Sequence, residues 1–326
     1  MSRALATTLL REQAAEPWRC WIRHAPVRWP GPEVSWIDLA SGALGASDGE
    51  PELLAALHGP RLEDVLYLPP VAPTLAAARD RLAAHHAARG TPVLVQVLPG
   101  DARPSSALGA AGLVVVWDLL VVALAGGESS PAQPAQLANA QPGDAAVLPL
   151  LPGAVDGERL EALAASLAAA SVTVLQGLPL ELSGRDRRAL GESMSEASYL
   201  RLFHDEPPSL LPLARAAARH GLLPMLPRPL PRPPLHGAAN LRVAGALAAC
   251  GELCLLFGEP ESRAQALLRA ARFAEREGRD LTALARDGHL PVLPWLEGEA
   301  LQVGGEAAAG AEPELWRQLL ARLGAS

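Results

Sequence analysis

From residue 34 to residue 230 the chain alternates between two patterns. Continuous apolar runs of strand length are followed by stretches whose apolar residues return every third or fourth position, the signatures of buried strands and amphipathic helices. The runs at 34–39, 64–68, 92–98, 112–119, 144–151, 172–178 and 199–203 predict seven strands, and 222–226 closes the series. The helical pattern predicts helices over 50–58, 74–89, 156–170, 185–192 and 210–220. Gly90 supplies the stop after 74–89, and Asp156 and Glu158 place acid where the dipole of the 156–170 helix prefers it. The segment 126–143, poor in bulky apolar residues and rich in Pro, Gln and Ser, predicts a long surface loop.

Apolar strands separated by helices predict an α/β fold with a parallel sheet covered on its faces. Seven or eight such units predict a complete or partial TIM-type barrel rather than an open doubly wound sheet. No Gly-rich fingerprint follows an early strand, which also counts against a dinucleotide fold. In the tract 224–234 the prolines exclude a helix interior, since each lacks the amide donor and clashes with the preceding turn. Beyond it the pattern is helical: 240–257 and 261–277 predict an α-hairpin around Gly258, 288–296 reads as extended, and 313–323 is a last helix. The expected organisation is an N-terminal extension over 1–33, an α/β barrel over 34–235 and a C-terminal helical appendage over 236–326.

Composition narrows the functions. Hydrophobic residues make up 49% and charged residues 19%, which excludes intrinsic disorder. A net charge of -7 without a basic tract excludes phosphate-tracking nucleic-acid binding. All 28 cationic residues are arginine. The missing lysine amine excludes Schiff-base chemistry, a lysine general base and the lysine of a phosphate-binding loop. The abundance of Ala, Leu, Pro, Gly and Arg fits a GC-rich bacterial genome. Three cysteines, Cys20, Cys250 and Cys254, are too few for a disulfide framework. The longest apolar stretch, 112–125, is interrupted by Asp118 and falls short of the ~20 residues of a membrane helix. Residues 1–16 lack the basic start and apolar core of a secretory signal, so a cytoplasmic location is expected.

Few residues carry candidate chemistry. His204 and Asp205 follow the strand 199–203, at the carboxyl end where barrels place catalytic groups. They have the chemistry of a general base or metal ligand, or of a polar loop that Pro207 and Pro208 fix. Asp118 ends an apolar strand, placed to reach a ligand hydroxyl or to cap the next turn. Asp101, after Gly100, sits similarly in an ordinary turn pair. Arg228 and Arg232 flank the proline tract and can grip a carboxylate or phosphate bidentately, or brace the barrel against the appendage. Cys250 and Cys254 lie four residues apart on one helix face within the apolar run 247–256, where free cysteine behaves as a small hydrophobe. No metal site is expected.

Several segments carry a family resemblance. Val71, Ala72, Pro73 and Thr74 form the turn after the second strand, and Leu98, Pro99 and Gly100 the turn after the third. The run 112–119 supplies a fourth strand ending in Asp118, and 147–153 leads into Asp156 and Glu158. In these segments and in the order of its elements, the chain resembles the radical S-adenosylmethionine superfamily. The resemblance implies a barrel that binds S-adenosylmethionine at a four-iron cluster held by a Cys-x-x-x-Cys-x-x-Cys motif. Here the loop after the first strand, 40–49, holds no cysteine, and the family's Gly-Gly-Glu turn is missing. The resemblance therefore implies a member without its own cluster, a non-catalytic accessory or scaffold subunit whose helical appendage docks on a catalytic partner. Two alternatives stand beside it. One is a barrel enzyme without iron, using His204, Asp205 and Asp118; the other is a barrel that keeps S-adenosylmethionine or a nucleotide.

Overall fold

The computed structural model describes residues 35–36, 66–68, 80, 83–84, 87–88, 90, 93–97, 113–119, 140–150, 157–179, 196, 209–227, 230 and 238–324. Six parallel strands form one sheet: β1 (Ser35–Trp36), β2 (Leu66–Leu68), β3 (Val93–Val97), β4 (Leu113–Asp118), β5 (Ala145–Leu150) and β6 (Val174–Pro179). Their order across the sheet is their order in the chain. The four long strands are in unbroken register, with Val93 opposite Leu113, Val116 opposite Ala145 and Ala145 opposite Val174. A seventh position continues the series, because Leu223 bridges Val174 in parallel. Its amide donates to the Thr173 carbonyl and its carbonyl accepts from the Leu175 amide, both at 2.9 Å.

Sequential order fixes where the helices go. Parallel crossovers are right-handed, so a sheet that always advances in one direction keeps its helices on one face, whereas a doubly wound sheet reverses. The strand side chains divide accordingly. Val95, Val97, Val115, Leu148 and Leu175 pack with Leu163 and Leu167 of α1 (Gly157–Ala169) and with Leu213 and Ala217 of α2 (Leu211–Arg219). The alternate residues Leu94, Val116, Ala145, Val147 and Val174 form a separate cluster with Leu226 on the opposite face. All residues of β3 and β5 are buried, as continuous apolar strands require when both faces are covered.

Buried Asp144 ties three strands together. Its Oδ2 accepts from the Trp117 indole at 3.1 Å and the Gln141 amide at 3.0 Å, and its carbonyl accepts from the Thr173 hydroxyl at 3.2 Å. Residues 80, 83, 84, 87 and 88 are helical, within the helix expected over 74–89. The expected helices 50–58 and 185–192, the strand 199–203 and most of the loop 126–143 lie outside the described residues.

The second layer is helical: α3 (Ala238–Leu256), α4 (Glu261–Arg276), α5 (Leu281–Arg286), a 3₁₀ turn (Leu290–Val292), α6 (Gly298–Ala308) and α7 (Glu314–Gly324). The expected hairpin of α3 and α4 forms, turning at Gly258 with φ +66°. Gly251 permits their close approach, since a Cβ there would lie 2.9 Å from Leu268 Cγ and 3.2 Å from the Ala264 carbonyl oxygen. Buried Asn240 holds the α4–α5 connection. Its Nδ2 donates to the Glu277 carbonyl at 2.7 Å and the Arg279 carbonyl at 2.8 Å, while its Oδ1 accepts from the Leu281 amide at 2.9 Å.

The extended reading of 288–296 is corrected. Leu290, Leu293 and Leu296 are all buried and recur every third residue, the period of the 3₁₀ turn they follow rather than the alternation of a strand. Helices α5 and α6 have no counterpart in the sequence expectation. An 18-residue window of α3 has mean hydropathy 1.4, long and apolar enough to cross a membrane, but more than half of it is buried inside the fold.

Candidate functional site

The residues singled out from the sequence fall mostly where the structure is silent. Asp118 is the last residue of β4 and its backbone pairs with Val147, so it stands at the carboxyl end of a strand as expected. Its side chain lies outside the described residues, as do Asp101, His204, Asp205, Arg228 and Arg232. Among the described residues, no three His, Cys, Asp or Glu side chains gather to hold a metal ion.

Cys250 and Cys254 are fully buried on the face of α3 that packs against α4 and α6. Removal from water pushes the Cys250 thiol up to about 12, with neighbouring Cys254 adding to the effect, and burial raises Cys254 as well. Both are therefore protonated, buried thiols, out of reach of an electrophile in solution.

Several described ion pairs join one element to another. Glu161 of α1 receives Arg219, and the His220 ring lies 3.1 Å from its second oxygen, which ties α1 to the end of α2. The Arg219 guanidinium holds the Glu161 carboxyl below the usual carboxylate range. Glu259, in the turn between α3 and α4, accepts from Arg322 at 2.6 Å and Arg263 at 3.1 Å. Arg322 is the main cause of its lowered pKa. Arg263 also makes a two-point contact with Glu299 of α6, at 2.9 and 2.6 Å. These contacts fasten one helix to another.

The described concavity is elsewhere. A cavity of about 510 Å³ lies between the helical layer and the edge of the sheet. Its sheet wall is Gln176, Gly177 and the segment from Leu223 to Pro227, and Leu210 and Ala214 contribute from the start of α2. Its helical wall is α3, with Ala311, Glu312, Pro313 and Trp316 from the entry to α7. The lining is largely aliphatic, and Gln176, Arg242, Glu252, Glu312 and Trp316 add polar groups. This size and mixture fit a binding pocket.

Helix α3 explains why the cavity exists. Val243, Leu247, Cys250 and Cys254 project into the helical core, while Leu241, Gly245, Ala248, Glu252 and Leu256 follow the opposite face at spacings of three and four. Gly245 and Ala248 leave room at the middle of that second face, and Ala246 and Ala249 beside them also line the cavity. A helix apolar on all sides is normally buried on all sides, and here one side is covered across an open space. The pattern was readable in the sequence as an apolar run over 247–256, but the division into two faces needs the positions of α4 and the sheet.

Two features orient the polar groups. Gln176 Oε1 accepts from the Leu226 amide at 3.0 Å, which pins the last described turn of the sheet edge and leaves the amide NH₂ free to donate. Arg242 is exposed and lies against the α6–α7 turn, where a Cβ on Gly310 would be 3.6 Å from its Nη1. No known protein-family model matches the chain, and no curated protein or solved structure is found to be similar to it.

Proposed function

We propose that the chain is a barrel of the radical S-adenosylmethionine type that holds no cluster of its own and works as a non-catalytic accessory or scaffold subunit. The strand order supports a complete or partial barrel, because six strands and the Leu223 position advance in one direction with their helices on one face. The observation that carries the function is the state of the cysteines. A four-iron cluster of this type needs three thiolates, the chain has three cysteines in all, and two of them are neutral thiols in the helical core.

The accessory role is supported by the appendage. Phe273 of α4 is 51% exposed and stacks on Trp295 with ring centroids 6.0 Å apart; Val292, three residues before Trp295, is 71% exposed. Exposed Phe273, backed by Trp295, and exposed Val292 are apolar groups of the kind that suit a protein partner. Arg269 and Arg272 stand on the same exposed side of α4 and favour an acidic one.

The test is turnover. The chain alone, supplied with iron, sulfide, a strong reductant and S-adenosylmethionine, is expected to release no methionine above a protein-free control. Catalytic release by the chain alone overturns the reading.

A further inference from the structure

We propose that the cavity between α3 and the sheet edge binds one extended aliphatic chain ending in a hydrogen-bond-accepting head, as in a long-chain carboxylate. This goes beyond the accessory reading and does not depend on it.

Length and lining together point to an extended aliphatic chain. The cavity touches α3 from Leu241 to Leu256, a length of about 22 Å at 1.5 Å per residue. The space is therefore long, and its lining along that length is largely aliphatic. An apolar lining this extensive gives water few partners. An aliphatic chain matches both the length and the lining.

The polar groups choose the head. The lining residues that carry side-chain N–H donors are Gln176, Arg242 and Trp316. None of these three groups has a protein acceptor among the described residues. Glu252 and Glu312 also line the cavity, and Glu252 has an interaction of its own. These donors suit a carboxylate or carbonyl head, with Arg242 the strongest of them because its hydrogen bonds are charge-assisted.

Calorimetric titration of the full chain with straight-chain alkyl carboxylates, each below its micelle concentration, tests this. The dissociation constant is expected to fall about fourfold per added methylene until the cavity is full. Ala249→Phe and Ala246→Leu, at half-buried positions facing the cavity, are each expected to weaken binding at least tenfold while melting as the wild type does. Arg242→Gln is expected to weaken carboxylates about tenfold and the matching alcohols hardly at all. No saturable binding, affinity independent of chain length, or blocking variants that melt normally and bind normally would each overturn the proposal. Binding of an amphipathic helical peptide with none of the alkyl series would also overturn it, in favour of a protein occupant. An unchanged carboxylate preference in Arg242→Gln would overturn the assignment of the head.

Discussion

Gly251 sits where α3 and α4 approach most closely, and its effect can be signed by weighing two terms. Alanine there gains about 1 kcal/mol of helix propensity, but its Cβ meets Leu268 Cγ at 2.9 Å and a backbone oxygen at 3.2 Å. Neither atom is the free end of a flexible side chain, so overpacking costs about 2–3 kcal/mol. Gly251→Ala is expected to lower the unfolding free energy by about 1–2 kcal/mol in urea titration; a gain would show that α3 and α4 can separate. Asn240→Ala removes three hydrogen bonds and leaves the Leu281 amide buried without its acceptor. The expected loss is about 2 kcal/mol, read as a lower melting temperature. Cys250 and Cys254 should resist a thiol reagent at pH 8 and react only as the chain unfolds, because burial keeps them protonated. Rapid labelling of either in the folded protein would contradict the packing of α3.

At the scale of elements, the ion pairs predict how acid acts. Arg219 lowers Glu161 between α1 and α2, and Arg322 lowers Glu259 between the α3–α4 turn and α7. A carboxyl held below its unfolded value near 4.5 stabilises the fold above that pH and loses the contribution as pH falls through its folded value. The urea midpoint is therefore expected to decline below about pH 4.5. The decline should be shallower in a Glu161→Gln, Glu259→Gln double variant, and an identical profile would remove these pairs from the acid response. The same elements show what the sequence discloses. Strands β3 to β6, helices α1 and α2 and the α3–α4 hairpin were legible because apolar period and Gly or Pro punctuation agree with their tertiary setting. Helix α6 was not, since Gly298, Gly304 and Gly305 oppose a helix locally. It forms because Gly304 lets Leu296 pack against it, a Cβ there lying 3.1 Å from Leu296 Cδ1. The cavity was invisible for a similar reason: Gln176 and Arg242 are ordinary residues until the sheet edge and the α6–α7 turn bring them to one space.

For the whole molecule, the sheet and the helical layer have separate cores that meet across α2. Leu213, Ala216 and Ala217 of α2 pack on the sheet, while Ala214 belongs to the helical core. One helix thus carries both cores, and the cavity opens beside that shared element. The layout sets the helical layer opposite the sheet edge after Leu223, across the cavity. The proposed accessory role requires that this α/β chain assemble no cluster by itself. Anaerobic reconstitution with iron and sulfide, desalting, and quantification of iron per chain test it most directly. The account predicts iron far below one cluster per chain, unchanged in a Cys250→Ala, Cys254→Ala variant. About four irons and four sulfides per chain, lost when those two cysteines are replaced, would contradict it.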